Sequence, residues 1–423
     1  MKFFQVEGIS RRNLSYLFIL KLLAGLSLWA VYTFYYTDRT TADIYKYFDD
    51  SKVIFNALRT HPIDYFKILF GIGNNTPAFD HYYSEMNYWA RKVDSSIYND
   101  SHTIIRFNAL VRLFSFGYYN VHTVVICFLS LIGLTAIYKT FVMHLSDKKT
   151  ALLFAVFLLP SVLFWGSGVL KEGLIFFALG LLIYYGNKLF SIKSIFICIG
   201  VGLLLAFSKF YVWLAICPGL LLIIWMKRNS SGVFLKFAFI ILIIGTIGLN
   251  IDRFTSIQNP LVTLSQKQYE FKQLAYGQLS DSNNKPIPPA NSLIEINDLE
   301  PALFSFIRNS PQAIVNTVFR PYIWESKSPL MLMAGMENLF IIAFILLCML
   351  FTKPLAAIHW GYVLFCLSFV LIQFLIIGET TPVLGAIARY KTIALPFLLI
   401  AFLLILDKDK LVKKLPALKK MLN

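Results

Sequence analysis

The run 330–351 holds a single charged side chain, Glu337, and it is one of about ten apolar stretches along the chain. A helix needs about 20 mostly apolar residues to cross the ~30 Å of hydrocarbon in a bilayer. With no water there to bond the backbone, a run of this kind forms its hydrogen bonds within itself, as helix. The windows fall at 14–36, 120–143, 151–165, 174–185, 194–207, 211–226, 233–250, 330–351, 356–377 and 392–406. Several are short, and the third and fourth read as full crossings or as a re-entrant hairpin. Hydrophobic residues make up 57% of the 423, and the mean hydropathy is +0.64. That is far above a soluble domain. The expected fold is an all-α polytopic membrane protein. Residues 1–423 form a single integral membrane domain of about ten transmembrane helices.

Charge placement orients the spans. Lys148 with Lys149, Lys188 with Lys193, Lys227 and Arg228 with Lys236, Lys353, and the basic tail 407–423 share one side if the spans alternate. The positive-inside rule makes that side cytoplasmic. Both termini are then cytoplasmic, and Arg11-Arg12 ahead of the first run reads as the inner flank of a retained span. The net charge of +16 is accounted for by these loops, so no basic patch for nucleic acid remains. Cys127, Cys198, Cys217, Cys348 and Cys366 all lie in apolar runs, which reads as small core residues. Two segments, 38–119 and 251–329, are placed outside; each far exceeds an ordinary connection, and long ordered loops usually carry function.

The short outer connections break the charge rule. They are 166–173, 208–210 and 378–391, and they carry Lys171, Lys209, Arg389 and Lys391. These cations either converge on an anionic group or reach to lipid headgroups. The stretch 160–173 (PSVLFWGSGVLKEG) joins Gly166, Ser167 and Gly168 to the adjacent charges Lys171 and Glu172. Glycines permit a sharp turn, and the helix start that follows favours an anion. It reads as a hairpin tip at the outer surface that contacts a phosphate-bearing lipid, or as a tip whose two charges neutralise each other.

The first outer segment opens with Asp38, Asp43, Asp49 and Asp50 within about four helical turns of the membrane exit, with Tyr45, Phe48, Phe55 and Leu58 as an apolar stripe. The stripe is expected to lie along the membrane surface. A carboxylate there is placed to act as general base on a hydroxyl acceptor. Helix-start capping and a solvated face are the plainer readings. Arg106 and Arg112 lie on an amphipathic stretch before the second span and could meet phosphate. His61, His81 and His102 match no ligand spacing, so no metal is assigned, no cofactor is expected and no divalent cation is indicated. In the second outer segment, 281–291 is polar and Pro-rich, Ser310-Pro311 reads as a helix start, and Ser328-Pro329 as another. Glu337 then sits about two turns into a span, where it needs a partner: Arg320, Lys171 or substrate. No P-loop, HExxH or GxSxG pattern is present.

An acidic cluster just outside the first span, a long first outer loop with amphipathic stretches, and many following spans together resemble the GT-C superfamily of membrane glycosyltransferases. The segments around 160–173, RPYIWES with GMENL, and GAIARYK are similar to membrane proteins of bacterial cell-surface polysaccharide assembly. The superfamily's frequent second soluble C-terminal domain has no counterpart in this sequence. The resemblance implies a bacterial inner-membrane enzyme that takes a polyprenyl-phosphate-linked sugar at the extracytoplasmic face and transfers it to a glycan or lipid acceptor. Asp43, or else Asp38 or Asp49, would take the acceptor's proton. Lys171, Lys209, Arg389, Lys391 and Arg320 would hold the departing lipid phosphate, with Glu172, Ser167, Glu337 and Arg106 in support. Three other readings stand beside it: a repeat-unit polymerase or ligase, a lipid-linked glycan flippase, and a non-catalytic envelope scaffold.

Overall fold

The computed structural model describes residues 2–39, 42–73, 76–90, 97–188, 191–279 and 288–422. Most of the Pro-rich strip expected at 281–291 lies outside these residues, as far as 287. Among the described residues helices are the only regular structure, with isolated bridges and no strand. Four helices are long and apolar enough to cross a membrane: Arg11–Tyr35, Tyr119–Phe141, Pro329–Leu350 and Trp360–Thr380. Leu384–Ile393 and Leu395–Ile405, which meet at a bend of 57°, are long and apolar enough only together, as a broken span or a re-entrant loop. Lys149–Leu158, Ile192–Ser208, Phe210–Met226 and Val233–Leu249 are apolar but shorter.

The chain divides into two compact units, Met1–Ile137 with Val162–Phe210, and Tyr138–Ser161 with Tyr211–Asn423. In the first, glycines decide how near the helices come. A Cβ on Gly133 would lie 2.0 Å from the Phe176 carbonyl oxygen, and one on Gly180 2.0 Å from that of Gly133. The Tyr119–Phe141 and Lys171–Gly186 helices therefore touch backbone to backbone, a contact that only small residues allow.

The stretch 160–173 is not a surface tip. Residues from Gly166 to Glu172 are buried, packed beside the Arg11–Ala30 helix. A Cβ on Gly25 would come within 2.7 Å of the Ser167 carbonyl, and one on Gly168 within 2.8 Å of Leu28. The glycines thus serve close approach as much as turning. Lys21, midway along the Arg11–Ala30 helix and 1% exposed, donates to the Gly166 carbonyl at 3.1 Å. That carbonyl lies just past the end of the Pro160–Trp165 helix and has no helical N–H to accept. Two members of the Asp43–Thr60 stripe are also turned inward: the Tyr45 ring meets Tyr119 at a tilt and the Phe48 ring meets Tyr119 and His122 edge-on, while Phe55 and Leu58 are half-buried.

In the second unit, the Leu395–Ile405 helix is buried along its length, its Phe397 ring set against Phe141, Phe365 and Phe369. Its carbonyl end is capped by Lys148, which donates to Leu403 O at 2.9 Å and Leu406 O at 2.7 Å. The helix expected to start at Ser310-Pro311 starts instead at Leu303, with Pro311 inside it. Its apolar face, Phe306, Ala313 and Thr317, packs near Trp360–Thr380, where a Cβ on Gly378 would meet Ala313 O at 2.2 Å. That packing outweighs the one hydrogen bond that Pro311 removes. Ser328 caps Pro329–Leu350, as its sequence indicates, by accepting from the Met331 N–H at 3.3 Å.

Gly180→Leu forces a side chain into a backbone contact, and Gly200→Leu meets nothing within 4 Å. The first is expected to abolish recovery of monodisperse protein in detergent and the second to leave it unchanged, with size-exclusion chromatography as the check.

Candidate functional site

In the first unit, Asp50 anchors the loop at residues 87–88. Buried on the Asp43–Thr60 helix, it accepts from the Asn87 and Tyr88 N–H groups at 2.8 and 2.7 Å and from the Asn87 amide at 3.3 Å. Burial pushes its carboxyl up, and those bonds pull it back part of the way. Asn99 ties the same loop from the other side, donating to the Tyr88 and Trp89 carbonyls at 2.8 and 3.0 Å while accepting from Ser101 N–H.

Fixed in this way, Tyr88 lies across one face of the Asp43–Thr60 helix. Its hydroxyl donates to Asp43 at 2.6 Å, its ring stands 5.4 Å from that of Tyr47, and the Lys46 ammonium sits 4.3 Å from its centroid. Asp43, Lys46 and Tyr47 share that face through their spacing. From the neighbouring helix start, Lys171 reaches the same group. It stands 5.5 Å from the Tyr47 ring and donates to Asp100 at 2.8 Å. Asp43, Lys46, Tyr47, Tyr88, Asp100 and Lys171 thus form one partly buried cluster holding two carboxylates, two ammonium groups and two aromatic faces.

The other first-unit candidates have different surroundings. Asp49 is held bidentately by Arg39, at 2.9 and 2.6 Å, and Asp38 is exposed. Arg106 donates to Ile68 O at 2.9 Å and lies 5.2 Å from the Trp89 ring, while burial lowers its guanidinium's affinity for a proton. Arg112 is also committed, to Ser51 Oγ at 2.7 Å and Phe48 O at 2.6 Å, with burial bringing its pKa down to about 10. Glu172 is buried in the first turn of the Lys171–Gly186 helix. Ser167 is fully buried, and its hydroxyl has no partner among the described residues. Lys209, also buried, follows the helix end whose Phe207 carbonyl accepts from Thr103 at 2.8 Å. It therefore leaves that helix close to Thr103, in the first turn of Ser101–Ser115.

In the second unit the expected phosphate ligands are engaged in holding the fold. Arg320 donates through Nε and Nη2 to Glu325 Oε1, at 2.9 and 2.6 Å, with Nε also 3.2 Å from Oε2, and it reaches Asn316 at 3.3 Å. Lys391, 2% exposed, donates to Thr317 O at 2.8 Å and Arg320 O at 2.9 Å, and so caps the end of Leu303–Val318. Glu337 accepts from Ser161 N–H at 3.1 Å and Ser161 Oγ at 3.0 Å, which answers the question of its partner. Arg389 is half-buried on the Leu384–Tyr390 helix.

Sequence reasoning missed Lys46, Tyr47, Tyr88 and Asp100. Lys46 and Tyr47 had a signal, since they flank the expected acidic cluster at helical spacing. Tyr88 and Asp100 are brought in by loop contacts that no periodicity announces. Among the described residues no group of three His, Cys, Asp or Glu is arranged to hold a metal ion. No protein-family model, curated protein or solved structure matches the chain.

Lys391→Met keeps the apolar stem but leaves two buried carbonyls without their donor. It is expected to lower stability by about 1–3 kcal/mol. The fall is read as a reduced midpoint of thermal unfolding in detergent.

Proposed function

We propose that the chain is a membrane glycosyltransferase, similar to the GT-C superfamily, that uses a polyprenyl-phosphate-linked sugar at the outer face of a bacterial cytoplasmic membrane to build cell-surface glycan. The observation that carries this reading is the meeting of Asp43 and Lys171 in one cluster. A carboxylate and two ammonium groups gather there around two tyrosine rings. The proposed topology has about ten crossings, cytoplasmic termini and outer segments at 38–119 and 251–329. Its shorter helices, of 16–17 residues, span about 25 Å at 1.5 Å per residue. They fit a bilayer that thins locally around them, at modest cost.

The acceptor hydroxyl attacks the anomeric carbon as the bond from that carbon to the phosphate oxygen breaks. Asp43 takes the acceptor's proton, and Tyr88, donating to Asp43, holds the carboxylate in place. Lys171 and Lys46 balance the negative charge on the departing lipid phosphate, which joins or replaces Asp100 beside Lys171. The tyrosine rings offer flat faces to the sugar. Preorganised charges of this kind are often the largest catalytic contribution, and a positioned base adds ~10²–10⁴-fold. A polymerase relying on Arg320 draws less support, because that guanidinium is already held by Glu325.

The test is sugar transfer by protein reconstituted in lipid, offered a panel of polyprenyl-phosphate sugars. Asp43→Asn is expected to lower turnover by about 10²–10⁴-fold. Lys171→Ala is expected to weaken both donor binding and turnover, and Tyr88→Phe to cost less than either. Full activity in Asp43→Asn, or no transfer from any donor, would sink the reading.

A further inference from the structure

The second outer segment carries a cleft that the proposed chemistry does not use. After a turn at 291–292 the chain leaves by a bridge between Leu293 and Val383 and is pinned on both sides. Ile294 N–H donates to Pro382 O at 2.9 Å, and Leu384 N–H to Ser292 O at 2.9 Å. From the Pro260–Ala275 helix, buried Gln268 donates to Asn297 O and accepts from Leu299 N–H, each at 2.9 Å, while Lys272 holds Ile296 O at 2.8 Å and pairs with Asp298. From the Leu303–Val318 helix, Gln312 accepts from Asn297 N–H at 3.2 Å, and Asn309 accepts from the Asn297 side chain at 3.1 Å.

Side chains alternate along an extended chain. Ile294 and Ile296 turn inward, joining Met331, Ile377, Leu384 and Ile387 in a small core. Glu295 and Asn297 turn outward, and Glu300 is exposed further along. Between this strip and the first turns of Leu303–Val318 lies a cleft of about 680 Å³. That is within the ~300–1,000 Å³ typical of small-ligand sites. The side chains of Glu295, Glu300 and Arg308 line it, exposed and with no hydrogen bond or ion pair of their own among the described residues, and Tyr276 and Phe304 contribute rings. The cleft is therefore rigid at its base and holds uncommitted polar groups in its walls.

Its chemistry narrows the ligand. Three carboxylates, Glu295, Asp298 and Glu300, outnumber Arg308 among the lining residues, so a phosphate or uronate is disfavoured. The backbone N–H groups of Ile294, Asn297, Leu299 and Glu300 and the carbonyls of Glu295, Ile296, Asn297 and Asp298 are already bonded, which leaves little of a strand edge for a peptide to join. No metal-holding group of acids is present among the described residues. Planar carboxylate, amide and guanidinium groups can pair with neighbouring hydroxyls, and exposed rings suit the C–H faces of pyranoses. We infer that this cleft binds a carbohydrate chain, neutral or amine-bearing. The inference stands on the cleft alone and does not require the transferase chemistry.

The test uses full-length protein in nanodiscs and a panel of neutral, amine-bearing, uronate-bearing and phosphorylated oligosaccharides, with binding read by saturation-transfer NMR and titration. At least one neutral or amine-bearing oligosaccharide is expected to bind. Its affinity should fall at least tenfold in Glu300→Gln/Arg308→Ala and in Glu295→Gln/Phe304→Ala, with the unfolding midpoint unchanged, since these side chains are exposed. Three results would each overturn the inference: no neutral or amine-bearing oligosaccharide bound at millimolar concentration, binding only of acidic oligosaccharides, or binding untouched by both double variants.

Discussion

A helix that ends among apolar side chains leaves carbonyl groups with nothing to accept, and this fold meets that constraint with buried lysines. Lys21 serves the Gly166 carbonyl, Lys148 the end of Leu395–Ile405, and Lys391 the end of Leu303–Val318. A lysine is well suited to the task, because its positive charge complements the negative end of the helix and its long stem passes through apolar packing. The helices end where the lysines allow them to end. The non-helical stretches 166–170 and 319–322 begin at two of those ends.

The same economy shapes the Asp43 cluster. Asp50 and Asn99 use bonding capacity on the backbone of residues 87–89. Their effect is to hold Tyr88 against Asp43 and Tyr47, so a loop residue gains the fixed position of a helical one. The acidic run after the first span thus divides its labour. Asp49 neutralises Arg39, Asp50 anchors a loop, and Asp43 is the member brought against a hydroxyl and a group of cations.

Much of the fold was legible because apolar runs and caps are local signals. The long spans and the Ser328-Pro329 start are written in neighbouring residues. What could not be read is what depends on partners far along the chain. Lys391 looked like a phosphate ligand because it broke the charge rule, yet its ammonium answers two carbonyls more than seventy residues away. Pro311 looked like a start because proline usually is one; the packing of Phe306 and Ala313 carried the helix past it. The neighbourhood of Asp43 and Lys171 was legible in part, since both are charges at the ends of apolar runs, whereas Tyr88 and Asp100 enter it through loop geometry that leaves no pattern.

Lys21 also bears on how the chain is made. A lysine at the centre of an isolated apolar helix opposes its insertion into a bilayer by ~2.5–3.5 kcal/mol. The carbonyl that satisfies it belongs to Gly166, 145 residues downstream. At ~5–20 residues per second, synthesis takes on the order of ten to thirty seconds to supply that partner. Through that interval the Arg11–Tyr35 helix must be sheltered by the insertion machinery or carry the charge on its own hydrophobicity. Biogenesis of the first unit is therefore a matter of order in time: its earliest helix is complete only when a later one has arrived.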